Sequence, residues 1–225
     1  MGYKLYWSSL TAGFVIQAAL EEAGADYDLV EVNFENREHR SAAYRSMNPM
    51  GQIPTMVLPD GTVLTESVAM VLHLAETFPE AELLPAPGSV ERARAYRWLL
   101  FMATNPYAGY QRYYYSKRFT TEIDGAEGIR KSAIAHINAG FDLLESVLDK
   151  QSYLAGSTRS IADTYLTMMV TWSPRANDVL LHRRNLTRVV MEVCARPVVR
   201  EIWNRYYPDG PRFDSTASRV HKKDS

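Results

Sequence analysis

A single cysteine, Cys194, stands in a chain of 225 residues. No internal disulfide can form, so the chain suits a reducing compartment and a cytoplasmic location is expected. Charge of one sign is lacking too: 25 Lys and Arg face 26 Asp and Glu, a net charge of −1. Phosphate backbones and anionic membrane surfaces call for a basic excess, so neither nucleic acid nor membrane is an expected partner. No apolar run approaches the roughly 20 residues that span a bilayer. The apolar stretch ending at Trp7 is too short for a secretory leader. Internal repeats and low-complexity tracts are missing, and no metal is expected. What the chain does have is a 46% apolar fraction, enough to build the core of one large domain or two small ones.

Short strand-like and helix-like patterns alternate over the first part of the chain. Tyr3–Trp7 reads as a strand. Residues 10–23 carry Leu10, Phe14 and Ala18 on one helical stripe, and Gly24 follows where a helix C′ glycine belongs. Residues 27–34 alternate as a second strand, and residues 41–47 form a short helix ended by Asn48-Pro49. Strand-like residues 55–58 and 62–65 flank Pro59-Asp60-Gly61, a hairpin signal, and Ser67 starts a helix to about Phe78. The order βαβ-α-ββα predicts an α/β thioredoxin-like N-terminal domain over residues 1–80. Residues 81–88 are a Pro-rich linker. Beyond it only helical spacing occurs, over residues 89–115, 127–148, 160–172, 186–196 and 198–206, with breaks at Pro174 and Pro197. An all-α C-terminal domain is thus expected over 89–208, followed by a polar tail over 209–225.

Three stretches of the first domain carry chemistry. In "SSLTAG", Ser8, Ser9 and Thr11 crowd a strand-to-helix turn, where hydroxyls serve either a helix cap or a ligand. In "NPMGQIPT", Pro54 falls at a strand start. Proline there leaves Ile53 extended, its backbone N–H and C=O free to pair with something outside the sheet; a tight turn into an edge strand reads the same way. In "LTESVAM", Glu66 and Ser67 mark a strand-to-helix junction, where backbone N–H groups and the helix dipole favour an anion. Ser67 as cap and Glu66 beside it suit the carboxylate and ammonium of an α-amino acid, and equally an ordinary N-cap.

Asn48-Pro-x-Gly-x-Ile-Pro54, then Glu66-Ser67, then a helical domain resembles the cytosolic glutathione S-transferases. "ALEEAG" in the first helix and "STRSIADTYL" in the second domain extend the likeness over nearly the whole chain. In the latter, Ser160 with Asp163 three residues on has the form of a capping box. The resemblance implies glutathione as co-substrate, its cysteinyl part on the Ile53 backbone beside a cis Pro54, and its γ-glutamyl end on Glu66 and Ser67. Gln52 stands where a residue reaching the glycine carboxylate is common; His39 or Arg40 offers the same reach, although an exposed surface position fits both.

The resemblance also implies that a group in the first turn stabilises the glutathione thiolate. Aligned on "ALEEAG", the cysteine of the bacterial cysteine-type class falls on Ala12, which argues against thiol-disulfide exchange through a protein sulfur. A hydroxyl at the positive end of a helix can donate to a thiolate. The order of candidates is Ser9, Thr11 and Ser8, with helix capping alone as the competing role; Tyr6 points into the sheet packing. Tyr107, Tyr110 and Tyr114 share a helical stripe, with Tyr113 beside it. Aromatics so spaced serve a core, but the corresponding helix of the family lines the electrophile pocket, and Trp172 could close it. Arg92, Arg94 and Arg97 resemble a dimer-facing region, although a solvated face fits them equally, and a homodimer is expected. Cys194 reads as a buried thiol without a role. The expected activity is transfer of glutathione to a small apolar electrophile. The competing readings are a glutathione-dependent lyase, dehalogenase or isomerase, and a non-catalytic binding or regulatory protein.

Overall fold

A computed structural model of the chain describes residues 2–207, so the tail expected over 209–225 lies outside the described residues. The chain separates into two units. One runs to Leu84 and takes in the segment from Ala195; the other runs from Pro85 to Cys194.

The first unit is built from β1 (Tyr3–Trp7), α1 (Gly13–Glu22), β2 (Tyr27–Glu31), α2 (Ala42–Met47), β3 (Thr55–Val57), β4 (Val63–Leu64) and α3 (Ser67–Thr77). Its sheet has the order β2-β1-β3-β4. β1 runs parallel to β2 and antiparallel to β3, and β3 pairs antiparallel with β4. This is the thioredoxin-like arrangement expected from the sequence. The alternation of β1 buries Tyr3, Leu5 and Trp7, while α1 and α3 contribute Phe14, Ile16, Leu20, Met70 and Leu74 to the same interior. Each such side chain contributes about 1.5–3 kcal/mol by leaving water. α1 starts three residues later than its apolar spacing suggests. Leu10 takes a left-handed conformation, φ 56°, and Ala12 becomes the N-cap.

The second unit holds α4 (Val90–Thr104), α5 (Pro106–Tyr114), α6 (Gly125–Leu148), α7 (Ile161–Thr171), α8 (Ala176–Leu181) and α9 (Arg184–Cys194). The one helix expected over 89–115 is two helices, because Pro106 has no N–H to continue α4 and instead occupies the first turn of α5. Arg92, expected on a dimer face, is buried, and its guanidinium donates to the Tyr96 hydroxyl (2.7 Å) and the Pro85 carbonyl (2.9 Å). α7 is buried along its whole length. Its first turn is closed by a capping box, as the Ser160/Asp163 spacing predicts.

The last helix, α10 (Pro197–Tyr206), corrects the expected domain limit at residue 208, since it clusters with the first unit. The cause is aromatic. Trp203, Tyr206 and Tyr207 set their rings 5.6, 5.7 and 5.5 Å from that of Phe14 in α1, and Tyr206 also meets Trp7 at 5.0 Å. Such pairs contribute about 0.5–1.5 kcal/mol each beyond their buried area. Arg196 adds an ion pair to Glu22. Among the described residues no helix is long and apolar enough to cross a membrane.

Candidate functional site

Strand register gathers the candidate residues of the first unit at one end of its sheet. Tyr6 pairs with Thr55, so the turn after β1 lies beside the Ile53-Pro54 approach to β3. Met56 pairs with Leu64, and continuing that antiparallel register brings Glu66 and Ser67 to the same end. Ser8, Ser9, Thr11, Gln52, Ile53, Pro54, Glu66 and Ser67 are therefore neighbours by topology. Tyr107, Tyr110, Tyr114 and Trp172 form their own cluster within the second unit.

The Ile53 edge is set by Asn48, Tyr44 and Thr55, to whose side chains the sequence assigned no role. Asn48 accepts the Met50 N–H on its side-chain oxygen (3.2 Å). Its Nδ2 donates to the Gln52 carbonyl and to Thr55 Oγ1, both at 2.9 Å. The Tyr44 hydroxyl donates to the same Gln52 carbonyl at 2.8 Å and lies 2.8 Å from Thr55 Oγ1. Burial holds the Tyr44 phenol above its ordinary pKa, so it stays a donor at physiological pH. Tyr44 and Asn48, with Thr55 Oγ1 more distant at 3.4 Å, thus hold the Gln52 carbonyl inward. Because a trans peptide is planar, the Ile53 N–H of the same unit must point the opposite way, outward. Among the described residues nothing in the protein pairs with the Ile53 backbone N–H or C=O. The Ile53 side chain meanwhile packs with Val32 and Tyr44, and the Ile53–Pro54 bond is cis. In the sequence Asn48-Pro49 marked only the end of a helix and the start of the Asn-Pro-x-Gly-x-Ile-Pro motif; the Asx turn that Asn48 makes with the Met50 N–H is seen in the structure, and Tyr44 gave no signal.

At the second station Glu66, not Ser67, is the N-cap of α3, with φ 65° and ψ 110° and no side-chain cap bond. Ser67 is the first residue inside the helix, which corrects its expected capping role. A non-glycine residue in the left-handed half of the map costs about 1–3 kcal/mol and is retained where the backbone must take one direction. Glu66 is exposed, and the first N–H groups of α3 give this corner a positive field.

In the first turn the three hydroxyls separate by role. Thr11 Oγ1 donates to the Ser8 carbonyl at 2.7 Å and accepts the Gly13 N–H at 3.3 Å, so its one proton serves the turn. Ser8 is buried. Ser9 is exposed, and its hydroxyl makes no hydrogen bond among the described residues. Gln52 is exposed. His39, expected at the surface, is buried and stacks on Phe34 with ring centroids 4.3 Å apart; it lies in a single 3₁₀ turn that follows the left-handed Arg37.

In the second unit Tyr110 is interior, its hydroxyl donating to the Met169 carbonyl at 2.7 Å, and burial pushes its phenol well up. Tyr114 is exposed and donates to the Trp172 carbonyl at 2.6 Å; Tyr107 is half-buried, its ring 5.2 Å from that of Trp172. Cys194 ends α9, and burial pushes its thiol up to about 12. It is neither nucleophile nor acid at neutral pH, so a thiol reagent is expected to label the native protein far more slowly than the urea-unfolded chain.

The chain matches two family models, "Glutathione S-transferase, N-terminal domain" over residues 15–77 and "Glutathione S-transferase, C-terminal domain" over residues 107–197. Glutathione S-transferase GstA of Escherichia coli O157:H7 is 26% identical over 199 residues, covering 88% of this chain and 96% of that protein. A maleylacetoacetate isomerase of Pseudomonas aeruginosa is 26% identical over 212 residues, 92% of this chain and 99% of its own. Among solved structures, a Sulfitobacter glutathione transferase homolog with bound glutathione has a TM-score of 0.83 at 24% identity, covering 90% of this chain and 97% of that one. A sphingomonad glutathione S-transferase complexed with glutathione has a TM-score of 0.74 at 26% identity, covering 88% and 96%. Thioredoxin-like unit, helical unit and both models in the same order along one sequence leave one conclusion: the chain belongs to the glutathione S-transferase family.

Proposed function

We propose that the protein is a glutathione S-transferase that binds glutathione along Ile53, Glu66 and Ser67 and stabilises its thiolate with Ser9. The observation that carries this reading is the outward Ile53 N–H, fixed by the anchored Gln52 carbonyl and matched to the cysteinyl backbone of a peptide ligand. The γ-glutamyl carboxylate suits the N–H groups at the start of α3, and its ammonium suits Glu66. Exposed Gln52 is the better placed group for the glycine carboxylate; His39 is engaged in its stack on Phe34.

A free thiol of this kind has a pKa near 8.5, so a donor must hold the thiolate at neutral pH. Ser9 has its proton available for that; Thr11 and Ser8 rank behind it. The thiolate then attacks an electrophilic carbon, and the leaving group departs with the electron pair of the bond it breaks. Tyr107, Tyr114 and Trp172 suit a flat, mostly apolar electrophile. A homodimer in the cytoplasm, acting in detoxification without a metal, completes the proposal. The likeness to maleylacetoacetate isomerases supports a second reading, glutathione-dependent isomerisation, in which the thiolate adds to the substrate and leaves again.

Calorimetric titration with glutathione tests the binding, and turnover of an aryl halide tests the chemistry. Glu66→Ala should weaken binding about tenfold, the worth of one charge-assisted contact. Ser9→Ala should lower turnover about ten- to a hundredfold while binding persists. Absence of heat at millimolar glutathione would sink the reading, and unchanged turnover in Ser9→Ala would remove Ser9 from it.

A further inference from the structure

We propose that Leu10 and Tyr206 form a positioning pair in which α10 fixes the peptide next to Ser9 and so aims its hydroxyl. This rests on the transferase reading of Ser9.

Leu10 is an odd residue for its place. Its side chain is 42% exposed, so the core does not demand it, and its φ of 56° is one that leucine rarely takes. The backbone accounts for it: the Leu10 N–H donates to the Tyr206 carbonyl at 3.1 Å, across nearly two hundred residues of sequence. With that N–H directed at α10, the planar Ser9–Leu10 peptide has its carbonyl pointing the other way, and the torsion that places Ser9 is set.

The acceptor is itself held firmly. Tyr206 is fully buried, its ring against Trp7 and Phe14. A Cβ at Gly13 would stand 3.1 Å from the Tyr206 ring and 3.2 Å from Trp7 Cβ, closer than ordinary contact, so the Tyr206 ring packs directly on the start of α1. β1, the hydroxyl turn, the start of α1 and the end of α10 are thus one packed corner. The last helix orients the group that meets the sulfur without touching it.

A merely structural role would change stability and leave the thiol chemistry alone. The test is therefore the pH dependence of kcat/KM, with glutathione affinity measured by calorimetry. Valine is disfavoured at positive φ, so Leu10→Val should raise the apparent thiol pKa by about one unit. That is about a tenfold loss of kcat/KM on the acid side, with glutathione affinity changed less than about twofold. Leu10→Gly, which takes this φ freely, should keep the wild-type profile. Tyr206→Ala should shift the profile in the same direction as Leu10→Val, and the double variant no further than the larger single shift. Leu10→Val is at an exposed site and keeps the test open if Tyr206→Ala does not fold. Glutathione heat with an unmoved profile in Leu10→Val overturns this inference alone. No glutathione heat in the wild type overturns the transferase reading and this one with it.

Discussion

Asp163→Ala is expected to lower the stability of the protein by about 3–5 kcal/mol, more than any other single change considered for the helical unit. Asp163 Oδ1 accepts the Leu154 N–H at 2.9 Å and Oδ2 accepts the Ser160 N–H at 2.8 Å. All three residues are buried. Removing the carboxylate loses two charge-assisted bonds and leaves two buried N–H groups without water or partner, at about 1–3 kcal/mol each. It also opens the first turn of α7, the helix at the centre of the unit. Urea unfolding followed by far-UV circular dichroism checks the loss through the midpoint, and a loss under about 1 kcal/mol would contradict the argument.

The same group gives a pH dependence with a definite sign. Burial raises the Asp163 carboxyl from 3.8 to about 6, outweighing the backbone N–H bonds that lower it. The folded state therefore holds its proton more tightly than the unfolded state between those values. Stability from this group is fully present below pH 3.8 and is lost as pH rises through about 6. Asp163→Asn should remove that slope, so the wild-type minus variant difference should fall by about 2 kcal/mol between pH 4 and 7. A difference independent of pH would show that the carboxyl is ionised throughout.

Much of the local structure was legible. β1 has the limits read from its alternation, Gly24 ends α1 with φ +59°, and the capping box forms at the spacing that announced it. These are features decided within a few residues of themselves. What was missed depends on partners far away in sequence. α10 has an ordinary helical pattern, and partners distant in sequence decide that it joins α1: the rings of Trp203, Tyr206 and Tyr207 on Phe14, and the ion pair of Arg196 with Glu22. The break before α5 hid because apolar spacing continues across Pro106, which fits a first helical turn as well as a break. At the candidate site, sequence singled out Ile53, Glu66 and the hydroxyl turn but not the contacts that set their backbones. The left-handed backbones of Leu10 and Glu66 have no signature, since neither residue type favours that region. Tyr44 became an anchor only when α2 brought its hydroxyl to the Gln52 carbonyl.

Gly51→Ala should cost about 2–4 kcal/mol and weaken glutathione binding about tenfold, whereas Gly24→Ala should cost about 1 kcal/mol and leave binding unchanged. The two glycines share a conformation, φ +60° and +59°, so the intrinsic penalty for a Cβ in the left-handed region is common to both. Surroundings separate them. A Cβ at Gly24 meets nothing within 4 Å, while one at Gly51 stands 2.8 Å from the His39 carbonyl oxygen. That oxygen is backbone and is tied to a ring stacked on Phe34, so the Gly51 side must give way. Gly51 donates its N–H to the Asn48 carbonyl at 2.8 Å, closing the turn that delivers Gln52. A shift there moves the Gln52 carbonyl off Tyr44 and Asn48, and the Ile53 N–H turns with it. Thermal unfolding and glutathione calorimetry on both variants decide the matter. Equal losses in the two proteins would mean that backbone conformation alone requires glycine at residue 51, and that the Ile53 edge does not depend on the His39 wall.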